Sequence, residues 1–425
     1  MRVVSADWVV PVEGPPLEDG AVAIAGDGRI AAVGPAAELG EGEHFPDSVI
    51  LPGFVNAHSH LEYAAYAGFG DGLPFAPWIG IHVERKSKLD REAMEAMARA
   101  GAAACLQSGI TTVGDCSFSG AAAVACAGLG LRAIVYLEVF GRDAAGLERF
   151  EENRMRVADS FSERVRLGVS PHAPYTCGIE LYRACAELGL PLATHLSESE
   201  AEVEYLAGAG GPWASFSELL IEPYERSAIE ALADAGVLGP GVLAAHCVQV
   251  RPDEIALLAE RDVAVAHCPR SNALLGCGVA PLAELRAAGL RVAIATDSPA
   301  STPSFDMFEE LRAAIFAARA RERRPEALGA AEALELATLG GARALGLDAE
   351  IGSLIPGKQA DLLVLSLAGS PFLPVEDAAV AAVLGGSSER VTATLVSGED
   401  RYRKGRSEWH ELTDAARNAR DRMLR

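Results

Sequence analysis

The sequence predicts an α/β protein in which a TIM-like (β/α)8 barrel accompanies a small β-sandwich domain built from both chain ends. Alternating β and α segments are typical of parallel strands joined by crossover helices, and eight such units favour a closed barrel. Eight short apolar runs alternate with alanine-rich helical stretches, and the runs cover residues 54–57, 111–114, 133–137, 165–169, 191–194, 241–245, 263–266 and 291–295. An open doubly wound sheet is the alternative, but no G-x-G-x-x-G motif follows the first run.

The two ends of the chain have β character without helical periodicity. Short strands are predicted before residue 50, with a hairpin at Gly26-Asp27-Gly28, and strand patterns return after about residue 349. Because these segments are similar and flank the barrel, we expect them to form one domain. The predicted division is sandwich at 1–53 and 349–406, barrel at 54–348, and a terminal helix at 407–425.

Composition limits the partners and the compartment. The 425 residues include 37 Lys and Arg against 59 Asp and Glu, so a nucleic acid or an anionic membrane surface is not an expected partner. The eight cysteines form no C-x-x-C pair, which argues against a zinc ribbon or a redox dithiol. No export signal or long apolar run is recognisable, and a cytoplasmic location is expected.

Histidines concentrate at the ends of the predicted strands. In a parallel barrel these C-terminal ends converge on one face, where active sites lie. The convergent residues are His58, His60, His172, His195, His246 and His267, with Asp297 at the end of the eighth strand.

Four of these residues form a candidate metal site. His58 and His60 project to the same side of an extended strand, and His195 with Asp297 completes three nitrogens and one carboxylate. That set, with an open position for water, suits one divalent ion, most simply Zn²⁺, with Fe²⁺ or Mn²⁺ as alternatives. None of the four lysines lies near the fourth strand, so a carbamylated lysine bridging two metals is not expected. The alternative is that His195 and Asp297 only cap strands.

Other polar residues at this rim are candidates for proton transfer and binding. Glu198 follows His195 by three positions and could act as a general acid–base, although a lone glutamate is usually a solvated charge. His246 could polarise the substrate or orient water, or be a core histidine. His172 and His267 could bind substrate, support the ligands or be structural.

Several short motifs, taken in order, resemble those of the amidohydrolase superfamily, in its mononuclear branch of chlorohydrolases, guanine deaminases and adenosine or S-adenosylhomocysteine deaminases. They lie at residues 52–60, 170–174, 194–198, 246–247, 267–272, 296–298 and 356–362. The resemblance implies a metal on His58, His60, His195 and Asp297. It also implies that Glu198, His246 and Asp297 move protons.

Within that branch, Glu62 and the stretches 202–206 and 210–214 are most similar to aminodeoxyfutalosine deaminases of menaquinone biosynthesis. Trp78 and Glu84 are similar in type to a pair found in S-adenosylhomocysteine deaminases, in a different context. The expected function is hydrolytic deamination of an adenine-containing nucleoside, aminodeoxyfutalosine to futalosine. The alternatives are S-adenosylhomocysteine or adenosine deamination, guanine deamination and chlorohydrolysis, or a dead relative acting as a scaffold, which the intact ligand set disfavours.

This hypothesis assigns three residues to substrate binding. Glu62 and His172 would contact the nucleoside, His172 at the ribose, and an apolar loop at 69–81 that includes Trp78 would enclose the base. The sequence assigns no role to His267, Glu84 or Glu138. Barrels of this kind often dimerise, so a homodimer is one expected assembly.

Overall fold

A computed structural model of the protein describes residues 1–210, 213, 220–405 and 409–425. Eight parallel strands form one sheet with neighbours in chain order. After four N-terminal strands β1–β4, these are β5 (Phe54–Ser59), β6 (Ile110–Ser117), β7 (Arg132–Val139), β8 (Val165–Pro171), β9 (Leu192–Leu196), β10 (Val242–His246), β11 (Ala264–His267) and β12 (Arg291–Ile294).

The last strand of this sheet returns to the first. The Asp297 N–H donates to the carbonyl of His58 at 3.0 Å, and Ser59 pairs in parallel with Asp297. The eight strands therefore form the predicted barrel rather than an open sheet.

The helices pack mainly around the barrel and bury apolar faces against its strands, although the first of them lies against the N-terminal strands instead. They are α1 (Ala36–Leu39), α2 (Phe75–Ser87), α3 (Arg91–Gln107), α4 (Ala121–Leu129), α5 (Leu147–Arg156), α6 (Ile179–Glu187), α7 (Glu200–Leu206), α8 (Ala228–Asp234), α9 (Pro252–Glu260), α10 (Pro269–Leu274), α11 (Leu282–Ala287), α12 (Met307–Glu322), α13 (Ala330–Leu336), α14 (Leu339–Ala344), α15 (Ala378–Gly385) and α16 (Trp409–Leu424). Among the described helices, none combines the length and apolarity that crossing a membrane requires.

Helix α2 corrects one expectation, because residues 69–81 are not a continuous loop. Pro74 precedes the helix, and Pro77 lies in its first turn, where the missing N–H of proline breaks no helical hydrogen bond. Phe75, Trp78 and His82 recur at helical spacing and are buried on one face. The apolar segment therefore presents its aromatic side chains from a helix.

Both chain ends build one seven-stranded mixed sheet, as the two β-rich segments predicted. The N-terminal segment supplies β1 (Arg2–Val9), β2 (Leu17–Ile24), β3 (Ile30–Pro35) and β4 (Glu43–Pro52), and the C-terminal segment supplies β13 (Leu362–Ser366), β14 (Val391–Val396) and β15 (Glu399–Arg403). Antiparallel pairing of β4 with β13 joins the ends, and β2 and β3 form the hairpin predicted at Gly26–Gly28. The predicted boundary at 406/407 lies outside the described residues.

A buried ion pair connects the barrel to this sheet. Arg132, at the start of β7, donates from Nε and Nη2 to the Asp361 carboxylate at 3.0 and 3.3 Å, and both side chains are at least 94% buried. Asp361 also accepts from the Ser397 N–H at 2.7 Å. The ion pair therefore connects the start of β13 in the sheet to the first residue of β7 in the barrel.

We predict that Arg132→Met lowers the free energy of unfolding by about 3–5 kcal/mol, because it leaves the Asp361 charge buried without its partner. Urea unfolding followed by circular dichroism measures this change. Arg154→Met is the matched control, since Arg154 and Glu151 form an exposed pair at 2.6 Å. Its effect should stay within about 0.5 kcal/mol; equal effects of the two substitutions would contradict the structural role of the buried pair.

Candidate active site

The four expected metal ligands meet at the C-terminal rim of the barrel. His58 and His60 come from the end of β5, His195 from β9 and Asp297 from the residues after β12, and their ligand atoms all lie within 4.8 Å of one another. His60 Nε2 is 3.2 Å from His195 Nε2, and His58 Nε2 is 3.6 Å from Asp297 Oδ1. Ligands bound at about 2.0–2.1 Å to a tetrahedral ion lie roughly 3.4 Å apart, so the spacing fits a single small ion.

The histidine rings are turned so that their Nε2 atoms face this centre. The Nδ1–H of His60 donates to the Cys116 carbonyl at 2.8 Å, and that of His195 donates to the His172 carbonyl at 2.7 Å. Each Nε2 is thereby left without a proton. His58 Nε2 is buried without a hydrogen-bond partner among the described residues, which is the state of a ligand atom in a cation site.

Asp297 is oriented by two hydroxyl groups. Ser271 Oγ and Ser301 Oγ donate to Asp297 Oδ2 at 2.8 and 2.5 Å, which leaves Oδ1 facing the histidines.

The electrostatics of the ligands suit a divalent cation. Burial, with a further contribution from His58, lowers the pKa of His60 to about 3, so its imidazole is neutral near pH 7. Burial also lowers the pKa of His195. Three imidazole nitrogens and one carboxylate form the donor set of a catalytic metal site with a position open for water.

His246 and Glu198 lie beside this set. The Nδ1–H of His246 donates to Asn272 Oδ1 at 2.9 Å, so its buried and unpartnered Nε2 is free to accept a proton. A Glu198 carboxylate oxygen is 3.7 Å from His246 Nδ1. Burial, reinforced by Asp297, raises the pKa of Glu198 well above its usual range. The pair therefore combines a proton acceptor with a carboxyl group that readily holds a proton.

Strained backbone places several of these groups. Ser197, His246 and Asp297 have φ angles of +51°, +73° and +60°, in the left-handed region that residues other than glycine rarely adopt. Each occurs where a strand ends at the rim. Such conformations persist when surrounding contacts fix them, and they cluster at active sites.

A cavity of about 510 Å³ opens above the ligands. His60, His195, Glu198, His246 and Asp297 contribute to its lining, and so do His172 and Trp78, two of the three residues expected to bind substrate. Its walls are largely aromatic, with Tyr63, Phe75, Phe118, Phe140, Tyr175 and Trp213. The site can accommodate a flat, apolar ring system against polar groups at one end.

Glu62, the third expected substrate contact, does not line the cavity. Its carboxylate accepts from the Ser117 hydroxyl, from the Ser119 N–H at 3.0 Å and from the Ala121 N–H at 3.0 Å. These donors lie at the start of α4, where unpaired N–H groups attract an anion. Glu62 therefore anchors α4 to the residues after β5, and the expectation of a substrate contact is corrected.

Other residues that the sequence analysis singled out lie outside the ligand set. His267 is buried at the end of β11, does not line the cavity, and has no described partner for Nδ1. Glu84 is 66% exposed and pairs with Lys88 at 3.2 Å on the outer side of α2. Of the stretch 210–214, only Gly210 and Trp213 belong to the described residues, and Trp213 packs against Tyr175 with ring centroids 4.5 Å apart.

Comparison with known protein families identifies the family to which this chain belongs. Residues 49–400 match the model of the amidohydrolase family. The chain belongs to the amidohydrolase family. It is accordingly a hydrolase that acts on carbon–nitrogen bonds, and its ligand set is a site for a divalent metal ion.

Named relatives cover almost the whole amidohydrolase chain. A 5-methylthioadenosine/S-adenosylhomocysteine deaminase of Moorella thermoacetica is 35% identical over 406 residues, covering 92% of this chain and 91% of the relative. A 5′-deoxyadenosine deaminase of Methanothermobacter thermautotrophicus is 33% identical, covering 90% and 89%.

Solved structures agree with the fold. An adenosine deaminase from Xanthomonas campestris with bound zinc superposes with a TM-score of 0.89 at 29% identity, covering 99% of this chain and 98% of that one. The zinc complex of the atrazine chlorohydrolase TrzN from Arthrobacter aurescens gives a TM-score of 0.83 at 24% identity, covering 100% of both chains. At that identity the second likeness concerns the fold alone.

Two carboxylates that position this amidohydrolase site were not assigned from the sequence. Asp115, on β6, accepts from Ser59 Oγ at 2.9 Å and from the Leu61 N–H at 2.8 Å, which fixes the turn that carries His60. Glu202, on α7, accepts from the N–H groups of Ser197 and Glu198 at 3.0 and 2.8 Å. The position of Glu202 four residues after Glu198, in the first turn of a helix, is the signal that could have identified it.

We predict that Glu202→Gln lowers kcat about 10–100-fold with the metal retained, because an amide NH₂ would face one of two backbone donors and release the Glu198 loop. Steady-state rates together with metal analysis by mass spectrometry measure both quantities. Glu204→Gln is the matched control, since Glu204 is exposed on the same helix. A Glu202→Gln enzyme as active as the Glu204→Gln enzyme would exclude the positioning role.

Proposed function

We propose that the chain hydrolytically deaminates an adenine nucleoside, replacing the C6 amino group with oxygen and releasing ammonia. The observation that carries this proposal is the juxtaposition of Glu198 and His246 beside the His58, His60, His195 and Asp297 ligand set. The names of the relatives, which are deaminases of adenine nucleosides, support the same chemistry.

A divalent cation, for which zinc is our first choice, would supply Lewis acidity that lowers the pKa of a coordinated water. His246 Nε2 and Asp297 are placed to accept the proton that the attacking water loses. Glu198 delivers a proton to N1 of the adenine ring, and a further proton transfer allows ammonia to leave. Water adds to C6 and the C6–N bond breaks, so the products are the 6-oxo nucleoside and ammonia.

The cavity favours a purine ring. Trp78, Phe75 and Trp213 form part of its apolar wall, and aromatic faces bind a flat base with little geometric demand. His172 lies in the same lining, and its Nδ1 is 2.9 Å from Thr176 Oγ1. This contact fixes the His172 ring at the position where we propose that it contacts the nucleoside.

The 5′ substituent distinguishes the candidate substrates. The relatives named above favour a 5′-deoxy or 5′-thio nucleoside: 5′-deoxyadenosine, 5-methylthioadenosine or S-adenosylhomocysteine. Aminodeoxyfutalosine, and with it a role in menaquinone biosynthesis, is a second candidate whose 5′ extension ends in a carboxylate. Arg142 lines the cavity with a side chain that is 65% exposed, and it could pair with this carboxylate or with the carboxylate of S-adenosylhomocysteine. Glu62 does not support aminodeoxyfutalosine as the substrate, because its carboxylate binds the start of α4 and does not line the cavity.

A substrate panel tests the proposal. The metal-loaded protein is incubated with the nucleosides named above, with adenosine, with guanine and with a chlorotriazine, and ammonia and halide are assayed. We expect ammonia from at least one adenine nucleoside, and kcat about 10²–10⁴-fold lower in Glu198→Gln with metal content unchanged. Halide release from the triazine without nucleoside deamination would contradict the proposal.

The control variant is Glu200→Gln. Glu200 is exposed and lies two residues from Glu198, at the start of α7, so its removal changes the local charge equally without altering the cavity. It should retain the wild-type rate. A Glu198→Gln enzyme that matches this control would exclude Glu198 as the proton donor.

A further inference from the structure

Two charged side chains of the cavity are not used by the proposed chemistry. Lys86 reaches the cavity from the last turn of α2, and Glu138 reaches it from the end of β7. Among the described residues, Lys86 Nζ makes no hydrogen bond and has no carboxylate oxygen within 4.0 Å. The Glu138 carboxylate lies beside the neutral His60 ring, with 3.9 Å between Oε1 and Nδ1, and no described Lys or Arg nitrogen lies within 4.0 Å of it.

Aromatic rings hold the Lys86 ammonium in place. Nζ lies 3.9 Å from the centroid of the Phe118 ring, 5.7 Å from that of Phe140 and 5.9 Å from that of Tyr63. Cation–π attraction fixes the position of the charge. Rings accept no conventional hydrogen bond, however, so the three N–H donors of the ammonium remain available to a ligand.

Glu138 and Lys86 are close enough to influence each other. Burial raises the pKa of Glu138, and Lys86 is the strongest influence in the opposite direction. The two groups are nevertheless separated by more than an ion-pair distance, and both face the cavity. A ligand group between them must accept from an ammonium and hydrogen-bond to a carboxyl group.

Hydroxyl groups meet both requirements, since each is one donor and two acceptors. A ligand carboxylate would satisfy Lys86 but face Glu138, and a ligand cation would satisfy Glu138 but face Lys86. The opposite charges thus favour a neutral polyol over either ion. A nucleoside has one such group next to its base, the vicinal diol of the ribose.

We propose that Lys86 and Glu138 bind the 2′ and 3′ hydroxyls of the substrate's ribose and make the enzyme selective for ribonucleosides. This inference rests on the proposed function. Glu84, another charged residue of α2, does not bind these hydroxyls, because it is exposed and pairs with Lys88 outside the cavity.

The first test uses the metal-loaded wild-type enzyme and three substrates: 5′-deoxyadenosine, 2′,5′-dideoxyadenosine and 3′,5′-dideoxyadenosine. A site built to bind a hydroxyl rejects an analogue that lacks it, so kcat/KM should fall about 100-fold or more for each missing hydroxyl. Equal kcat/KM for the three compounds would overturn the inference and leave the proposed function intact. Absence of deamination across the whole nucleoside panel would overturn both.

The second test removes each charge from the protein. Lys86→Met and Glu138→Gln should each slow deamination of the ribonucleoside and of the dideoxy analogue that keeps the hydroxyl bound by the removed group. The other analogue should be nearly unchanged, so that the preference for that hydroxyl shrinks to within about tenfold. Lys88→Met, at an exposed lysine directly after the end of α2, should keep the full preference. A variant that slows all three substrates equally at full metal content would assign a structural role to the pair and overturn the proposal. If Lys86→Met does not fold, Glu138→Gln carries the same test.

Discussion

A buried carboxylate among three imidazoles is the constraint on which this structure depends. Asp297 is 6% exposed, and its hydrogen bonds come from two neutral serine hydroxyls. Removing a carboxylate from water without a positive partner costs several kcal/mol. His60 and His195 do not supply that charge, because burial keeps them unprotonated. The surrounding atoms are therefore arranged for a metal cation.

One backbone contact between Asp297 and His58 both closes the barrel and assembles this site. The hydrogen bond from the Asp297 N–H to the His58 carbonyl joins the end of β12 to β5 and brings the two ligands to adjacent positions. Asp115, Ser271 and Ser301 then fix the turns and the carboxylate around them. Fold closure and metal binding are thus linked, as expected when binding free energy contributes to folding.

Much of this arrangement could be predicted from the sequence, for identifiable physical reasons. Apolar runs mark buried parallel strands, and a polar residue that ends such a run must lie at the rim, as His195 and His246 do. Helix α2 was not predicted, since residues 69–81 were expected to form a loop. Pro74 and Pro77 lie directly before the helix and in its first turn, where proline is accepted.

The functions of individual carboxylates were less predictable. Glu62 follows the metal motif directly, yet its side chain binds the donors at the start of α4, a part of the chain about 59 residues away. Glu138 and Lys86 face one cavity only because α2 lies over the end of β7. Such contacts depend on tertiary packing, which periodicity and spacing do not encode.

Metal binding by these four residues is measured most directly by X-ray absorption spectroscopy of the zinc-loaded protein. We expect one ion with three imidazole nitrogens at about 2.0–2.1 Å and oxygen ligands at a similar distance. Cys116 Sγ lies 3.7 Å from His58 Nδ1, on the side of the ring away from the ion, so no sulfur should coordinate. A sulfur ligand at about 2.3 Å, or a second metal at about 3.5–4 Å, would contradict this expectation.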